Sequence, residues 1–165
     1  GATVATTTST ANSELVKSLG ADIVIDYKKD DFETTLHDYD VVLNSQDPKT
    51  LEKSLRVLKP GGKLISISGP PDPDFAKDQG SPWFVKLVMH LLSYQTRQKA
   101  KRLNVSYSFL FMRASGDQLH EITSLIESGI IRPVMDKVFP FEVTNEAMAY
   151  VEKGRAKGKV VVKVR

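Results

Sequence analysis

The chain contains no cysteine. That excludes disulfides, thiolate nucleophiles and Cys-ligated zinc, and it suits a reducing compartment such as the cytoplasm. Neither sign of charge is in large excess: 23 Lys+Arg against 20 Asp+Glu leave a net +3 over 165 residues. A nucleic-acid role would therefore need a clustered patch rather than bulk basicity. Histidine is scarce. His37, His90 and His120 fall on separate predicted helices, without HExxH or any other ligand spacing, so no metal is expected. No apolar run reaches the ~18 residues of a membrane span; the longest, WFVKLVMHLLSY, is interrupted by Lys86 and His90. No signal peptide is visible, and SISGP is not the GxSxG of a nucleophile elbow. The carboxylates of DPD and DYD lie in predicted turns and form no acid/base pair. What remains is a globular composition, 41% apolar and 26% charged, long enough for one domain or one and a piece.

Strand and helix patterns alternate from the first residues. Thr3–Thr8 is β-branched and apolar, a strand pattern. Ser13 is placed to cap a helix with an apolar face of Leu15, Val16 and Leu19, closed by Gly20. DIVIDY and YDVVLNS are short continuous apolar runs of the kind buried in parallel sheets, with the short helix DDFETTLH between them. In DPKTLEKSLRVLKPGG, Asp47 caps, Pro48 opens the first turn, Leu51, Leu55 and Leu58 share a face, and KPGG closes the helix. KLISISG is the next strand. PPDPDFAKDQGSP reads as a loop, followed by a helix from about Pro82 to Leu103 whose apolar first half reads by default as core. NVSYSFLFM is a strand, SGDQLHEITSLIESG a helix opened by Ser115, and IRPVMDKVFP an extended segment. VTNEAMAYVEKG is a helix with Thr144 as its cap, and KGKVVVKVR a closing strand. Strand–helix–strand units this short imply parallel crossovers, hence an α/β, doubly wound parallel sheet.

Six Lys or Arg fall among residues 153–165. Lys153, Arg155 and Lys157 lie at a helix C-terminus, where cations meet the negative dipole end. Lys159, Lys163 and Arg165 share a strand with valines, which leaves one side solvated. A nucleic-acid surface would want interleaved aromatics or a recognised motif, and neither is present.

Three stretches, ELVKSLGADIVIDYKKDDF, LRVLKPGGKLISISG and IIRPVMDKVFPFEVTNEAMAYVEKGRAKGKVVVKV, occur in an order and spacing that resemble the C-terminal half of the medium-chain dehydrogenase/reductase superfamily. Within it the chain is similar to the zinc-independent, NADPH-dependent quinone oxidoreductase and alkenal reductase branch. The resemblance implies an incomplete Rossmann-type sheet in residues 1–140 and a segment, 141–165, that returns toward a GroES-like catalytic domain. It also implies a homodimeric parent enzyme moving hydride from NADPH to a quinone, enone or enal, with no nucleic-acid or membrane partner. No GxGxxG or AxxGxxG occurs. The chain is accordingly expected to start just after the glycine-rich turn that cradles the pyrophosphate, and to bind little dinucleotide by itself. A zinc-type alcohol dehydrogenase half, or a non-enzymatic module that kept the fold, are the alternatives.

In a dinucleotide fold the end of the second strand separates NAD from NADP, because a carboxylate there repels a 2′-phosphate. TTTSTANS offers hydroxyls and no carboxylate until Glu14, so Ser9 and Thr10 are candidate phosphate donors. A Thr-rich strand with a hydroxyl-capped turn would read the same. The resemblance places Ser9 at the family's phosphate-binding serine, while Ala11 and Asn12 stand where a lysine often follows. It places Tyr27 beside the adenosine 2′-phosphate. Asn44, Ser45, Ile67 and Ser68 end strands whose carboxyl edges gather ligands in open α/β sheets, although ordinary turn residues look alike. SYSFLFM alternates Phe109 and Phe111 with Leu110 and Met112; the resemblance puts Leu110 and Met112 against nicotinamide. It also brings Arg155 and Lys157 to the cofactor's phosphate or ribose oxygens, where a guanidinium can bind bidentately. No catalytic group is assigned.

Overall fold

The structure is a computed structural model and describes residues 1–164; Arg165, one of the basic residues singled out above, lies outside them. The chain divides into two compact units, residues 1–112 and 113–165.

The first unit runs β1 (Ala5–Thr8), a 3-10 turn (Thr10–Asn12), α1 (Ser13–Ser18), β2 (Ile23–Asp26), α2 (Phe32–Thr35), β3 (Tyr39–Asn44), α3 (Pro48–Arg56), β4 (Leu58–Ser66), α4 (Pro73–Asp78), α5 (Trp83–Arg102) and β5 (Ser106–Phe109). β1 pairs with β2, and β3, β4 and β5 form a second sheet in that order; every one of these pairings is parallel. The crossover reading therefore holds, with one difference: β1 and β3 are not bonded to each other, so the sheet is split between them.

α3 shows how local signals and packing combine. The Asp47 side chain accepts from Thr50 N at 2.8 Å, Pro48 occupies the first turn, and Leu51, Ser54 and Leu55 are buried. Leu51 and Leu55 meet Leu58, Leu64, Ala100 and Val105 in the main apolar cluster, with Tyr39, Val42 and Tyr107 against its rim. Fully burying each leucine stabilises by about 1.5–3 kcal/mol before entropy is counted. On the outside, ion pairs run from α2 through α3 to α5: Lys53 to Asp31 and Glu33, Arg56 to Glu33 and Glu52, and Lys99 to Glu52. Such exposed pairs, screened by solvent, add little to stability.

Four expectations for this unit are corrected. The helix does not extend to KPGG but ends at Arg56, and β4 begins at Leu58. Its first residues are bulged against β3, Gly61 adopts φ +85° as only glycine does easily, and Gly61 N donates to Asn104 O at 2.7 Å. The proline-rich loop holds a helix, α4, because Asp72 caps it through Phe75 N at 2.8 Å and Pro73 opens it. Ser13 does not cap but starts α1, its hydroxyl turned back to Ser9 O at 3.5 Å. The first half of α5 is not core within this unit: Trp83 is 75% exposed, Leu91 64%, and Phe84, Leu87, Val88 and Leu92 all more than half exposed. The helix buries only Ser93 and Ala100. It ends where Asn104 takes the left-handed conformation (φ 55°) and Val105 N reaches back to Ala100 O at 3.0 Å.

The second unit holds α6 (Gly116–Glu127), β6 (Met135–Pro140), a 3-10 turn (Phe141–Val143), α7 (Thr144–Glu152) and β7 (Lys159–Lys163). Ser115 caps α6 through Gln118 N at 3.3 Å, as expected. β6 and β7 pair in parallel across the α7 crossover. Thr144 is the first residue of α7 rather than its cap, and its hydroxyl donates to Phe141 O at 2.6 Å. Asp136 Oδ2 accepts from the Tyr150 phenol at 2.9 Å and from Lys157 N at 3.2 Å, which fastens the turn after α7 to β6. The Tyr150 phenol is raised above its ordinary value by that bond to Asp136.

Candidate functional site

The carboxyl ends of the strands of the first unit carry two polar constructions. The first is a crevice of about 670 Å³ lined by Thr7 at the end of β1, by Tyr27 to Phe32 after β2, by Gln46 and Asp47 after β3, and by Lys49, Thr50 and Lys53 of α3. Tyr27 stands 59% exposed there. Of the lining cations, Lys53 is tied to Asp31 and Glu33, and Lys29 to Asp26 at 3.8 Å. Lys28 and Lys49 also line the crevice, their charges acting on Asp26 and Asp47, and Asp30 shares the space with them. Asp47 spends its carboxylate on the α3 N-terminus, where the bond from Thr50 N, with the Lys49 charge adding to it, holds it below its ordinary range. The result is an open cleft with ammonium groups beside an exposed aromatic ring.

Ser9 and Thr10 do not line this crevice. Ser9 sits just past β1, half-buried, with no side-chain cap bond. The Thr10 hydroxyl donates to Asp26 Oδ2, and this bond, first among the causes, holds the Asp26 carboxyl below its ordinary range. The proton that the sequence offers to a phosphate is thus engaged, because β2 runs beside β1 and ends in a carboxylate at Asp26.

The second construction joins the ends of β3, β4 and β5. Asn44 Oδ1 accepts from Ser66 Oγ at 3.3 Å and from Ser68 Oγ at 3.2 Å; Ser68 Oγ also lies 2.5 Å from Gln46 O. Ser66 Oγ accepts from Gly69 N at 2.8 Å. A side chain at Gly69 would meet Leu51, Ser66 and the Tyr107 hydroxyl within 2.7 Å, so the turn needs glycine for closeness, not for φ. Ile67 N donates to Asn44 O and Leu110 N to Ser66 O, both at 2.9 Å. Asn44, Ser66 and Asp72 are buried; Ile67, Leu110 and Met112 stand out from the strand ends, Met112 85% exposed. Phe109 and Phe111 turn the other way and both pack on Phe75, at 5.1 and 6.2 Å. Asn44, Ser66 and Ser68 therefore belong to one network, with Ser45 adjacent and lining the gap between β1 and β3. Arg155 and Lys157 lie in the second unit, in the turn after α7.

Tyr107 closes this network from below, donating to Pro70 O at 2.7 Å. Burial, with the Asp72 charge adding to it, pushes its phenol up to about 12 from 10.0. A raised pKa means that the folded chain holds this proton more tightly than the unfolded chain. The contribution is whole below the unfolded value of about 10 and is lost as pH rises toward 12. Thermal melts across alkaline pH should show Tm falling from near pH ~10, and Tyr107→Phe should flatten that fall. Equal alkaline slopes in the two proteins would remove Tyr107 as its source.

Sequence reasoning missed the lysines of α3 that face the crevice, and Asp72. Lys49 and Lys53 follow the recognised cap Asp47 by two and six positions, on the turns of α3 next to the strand ends.

Residues 19–162 match the family described as Zinc-binding dehydrogenase. The chain belongs to that family. Among proteins of known activity, this member is 34% identical over 161 residues to the chloroplastic NADPH-dependent alkenal/one oxidoreductase of Arabidopsis thaliana, covering 96% of this chain and 33% of that one. It is equally similar, with the same coverage, to 2-methylene-furan-3-one reductase of Solanum lycopersicum, at 34%. Its fold superposes on the quinone oxidoreductase from Coxiella burnetii with TM-score 0.75 at 24% identity, over 99% of this chain and 45% of that one. The chain thus spans a third to just under half the length of these relatives. The matches place it in the medium-chain dehydrogenase/reductase superfamily and support the Rossmann-like reading of its parallel sheets. Among the described residues no group of three or more His, Cys, Asp or Glu could hold a metal ion.

Proposed function

We propose that the crevice at the ends of β1, β2 and β3 holds the adenosine end of NADPH, and that the chain is the nucleotide-holding part of a reductase acting on an enone, enal or quinone. The observation that carries this reading is the 34% identity, over nearly the whole chain, to a protein named for NADPH and alkenals. The crevice chemistry fits: Lys28 and Lys49 offer positive charge to a 2′-phosphate, and the exposed Tyr27 ring offers a face to adenine. Ser9 adds a hydroxyl at the edge, and Thr10 can donate only by exchanging Asp26 for the phosphate. Asn44, Ser45, Ile67 and Ser68 form the wall toward nicotinamide, with Leu110 and Met112 as its apolar side. Arg155 and Lys157, in the turn after α7, are further candidate cations for phosphate or ribose oxygens. The parent enzyme is a cytoplasmic homodimer in this reading.

When bound, NADPH supplies the hydride; the chain's own residues bind it, orient it and exclude water. The test uses nuclear magnetic resonance titration of the chain with 2′,5′-ADP and with 5′-AMP. The 2′-phosphate should tighten binding about tenfold at low salt, which corresponds to ~1.4 kcal/mol, with Lys28, Lys49 and Tyr27 signals moving and the preference shrinking as salt rises. Equal affinities for the two nucleotides would reject the NADPH assignment. Oxidation of NADPH by 2-alkenals or quinones is the matching assay for the longer enzyme; oxidation of simple alcohols instead would reject the substrate class.

A further inference from the structure

We propose that α5 lies along an anionic lipid surface, its apolar ridge seated among the acyl chains and its basic end on the headgroups. Such a contact is independent of the cofactor site. It departs from the expectation of no membrane partner that came with the family resemblance. Among the described residues no helix is long and apolar enough to cross a membrane, so α5 rests on the bilayer and does not span it.

Trp83, Phe84, Leu87, Val88, Leu91 and Leu92 are each more than half exposed, and Tyr94 is half exposed. They recur at helical spacing on the side of α5 away from Ser93, which is fully buried. Apolar side chains this exposed project outward as a ridge instead of lining a groove. A folded protein partner would need a trough shaped to them, whereas acyl chains yield around them. Trp83 and Tyr94 stand at the two ends of the aliphatic stretch, and rings with an apolar body and a polar tip settle at the depth of the headgroups.

Charge selects the kind of surface. No Asp or Glu occurs between Asp78 and Asp117, while six Lys or Arg do, in a chain whose net charge is only +3. Five of the six are on α5: Lys86, Arg97, Lys99, Lys101 and Arg102. Lys101 follows Trp83, and Arg102 follows Phe84, by 18 positions or about five turns. Both exposed cations therefore stand in line with the ridge, at its far end. Apolar side chains followed by cations on one face match a bilayer whose interior lies beneath anionic headgroups. A second copy of the chain would return the same acid-free face to itself, setting like charge toward like charge.

Trp83 is the single tryptophan of the chain, so its emission reads the contact directly. Vesicles of phosphatidylcholine with about one-third phosphatidylglycerol should shift that emission to the blue. At low salt, partitioning should be about tenfold stronger than into pure phosphatidylcholine, and the preference should shrink as salt rises. Leu91→Glu, and separately the double variant Lys101→Glu/Arg102→Glu, should each lower partitioning into the anionic vesicles about tenfold. Lys17→Glu, on α1, should leave it unchanged, and the longer enzyme should sediment with the same vesicles. No blue shift, equal partitioning into neutral vesicles, or unchanged partitioning of Leu91→Glu would each overturn the proposal. So would a blue shift without vesicles that grows with protein concentration, because a second copy would then cover the ridge. Failure of the longer enzyme to sediment would overturn it too, since the remainder of that enzyme would then cover α5.

Discussion

Leu55→Ala is expected to cost about 2–5 kcal/mol, the range for truncating a leucine whose surroundings relax only partly. Leu55 is 1% exposed and sits where α3, β4 and α5 converge on one cluster. Alanine would forfeit the apolar burial and leave a void lined by Leu51, Leu58 and Leu64. A domain of ordinary stability, about 5–15 kcal/mol, would lose a large fraction of it. Urea denaturation reads the effect as a lower midpoint with an unchanged slope. Leu91→Ala is the control: at 64% exposure its cost should stay within about 0.5 kcal/mol. If the two substitutions cost the same, the cluster at Leu55 is not the core of this unit.

Asp72→Ala is expected to cost about 2–4 kcal/mol, since hydrogen bonds to charged groups contribute roughly 1.5–3 kcal/mol each and their loss leaves buried donors bare. Asp72 is 4% exposed, and its two oxygens take the N–H of Phe75 at 2.8 Å and of Phe109 at 3.0 Å. One side chain thereby joins the start of α4 to the end of β5. Asp72→Asn keeps the shape but turns a donor toward one of those N–H groups, so it should fall between alanine and the parent. The near-ultraviolet signal of Phe75, Phe109 and Phe111, which pack together beside this residue, should weaken with the loss. A fully native spectrum and midpoint in Asp72→Ala would show that water replaces the carboxylate at no cost.

Much of the fold was legible where a cap, a first-turn proline and an apolar period agreed. Asp47–Pro48 announced α3, Ser115 announced α6, and the limits expected for the long helix differ from α5 by one residue at each end. α4 carries the same signal, Asp72–Pro73, but it stands among neighbouring prolines that read as loop. KPGG was misread because glycine after a leucine-rich helix usually closes it. Here a long-range bond from Gly61 to Asn104 draws those residues into β4, and no local pattern encodes that partner. The same division holds for the site. Continuous apolar runs marked the strands, so the places of Tyr27, Asn44 and Ser68 at their carboxyl ends were legible. Asp26 on Thr10 and the lysines of α3 depend on which strands and helices become neighbours in space.

The shared hydrogen bonds of Asn44, Ser66, Ser68 and Gly69 have a mechanical meaning for whatever settles against them. The ends of β3 and β4, laced to common atoms, form an anvil already shaped before any guest arrives. A molecule pressed there gives up little free energy to ordering the host, so its own fit decides how long it stays.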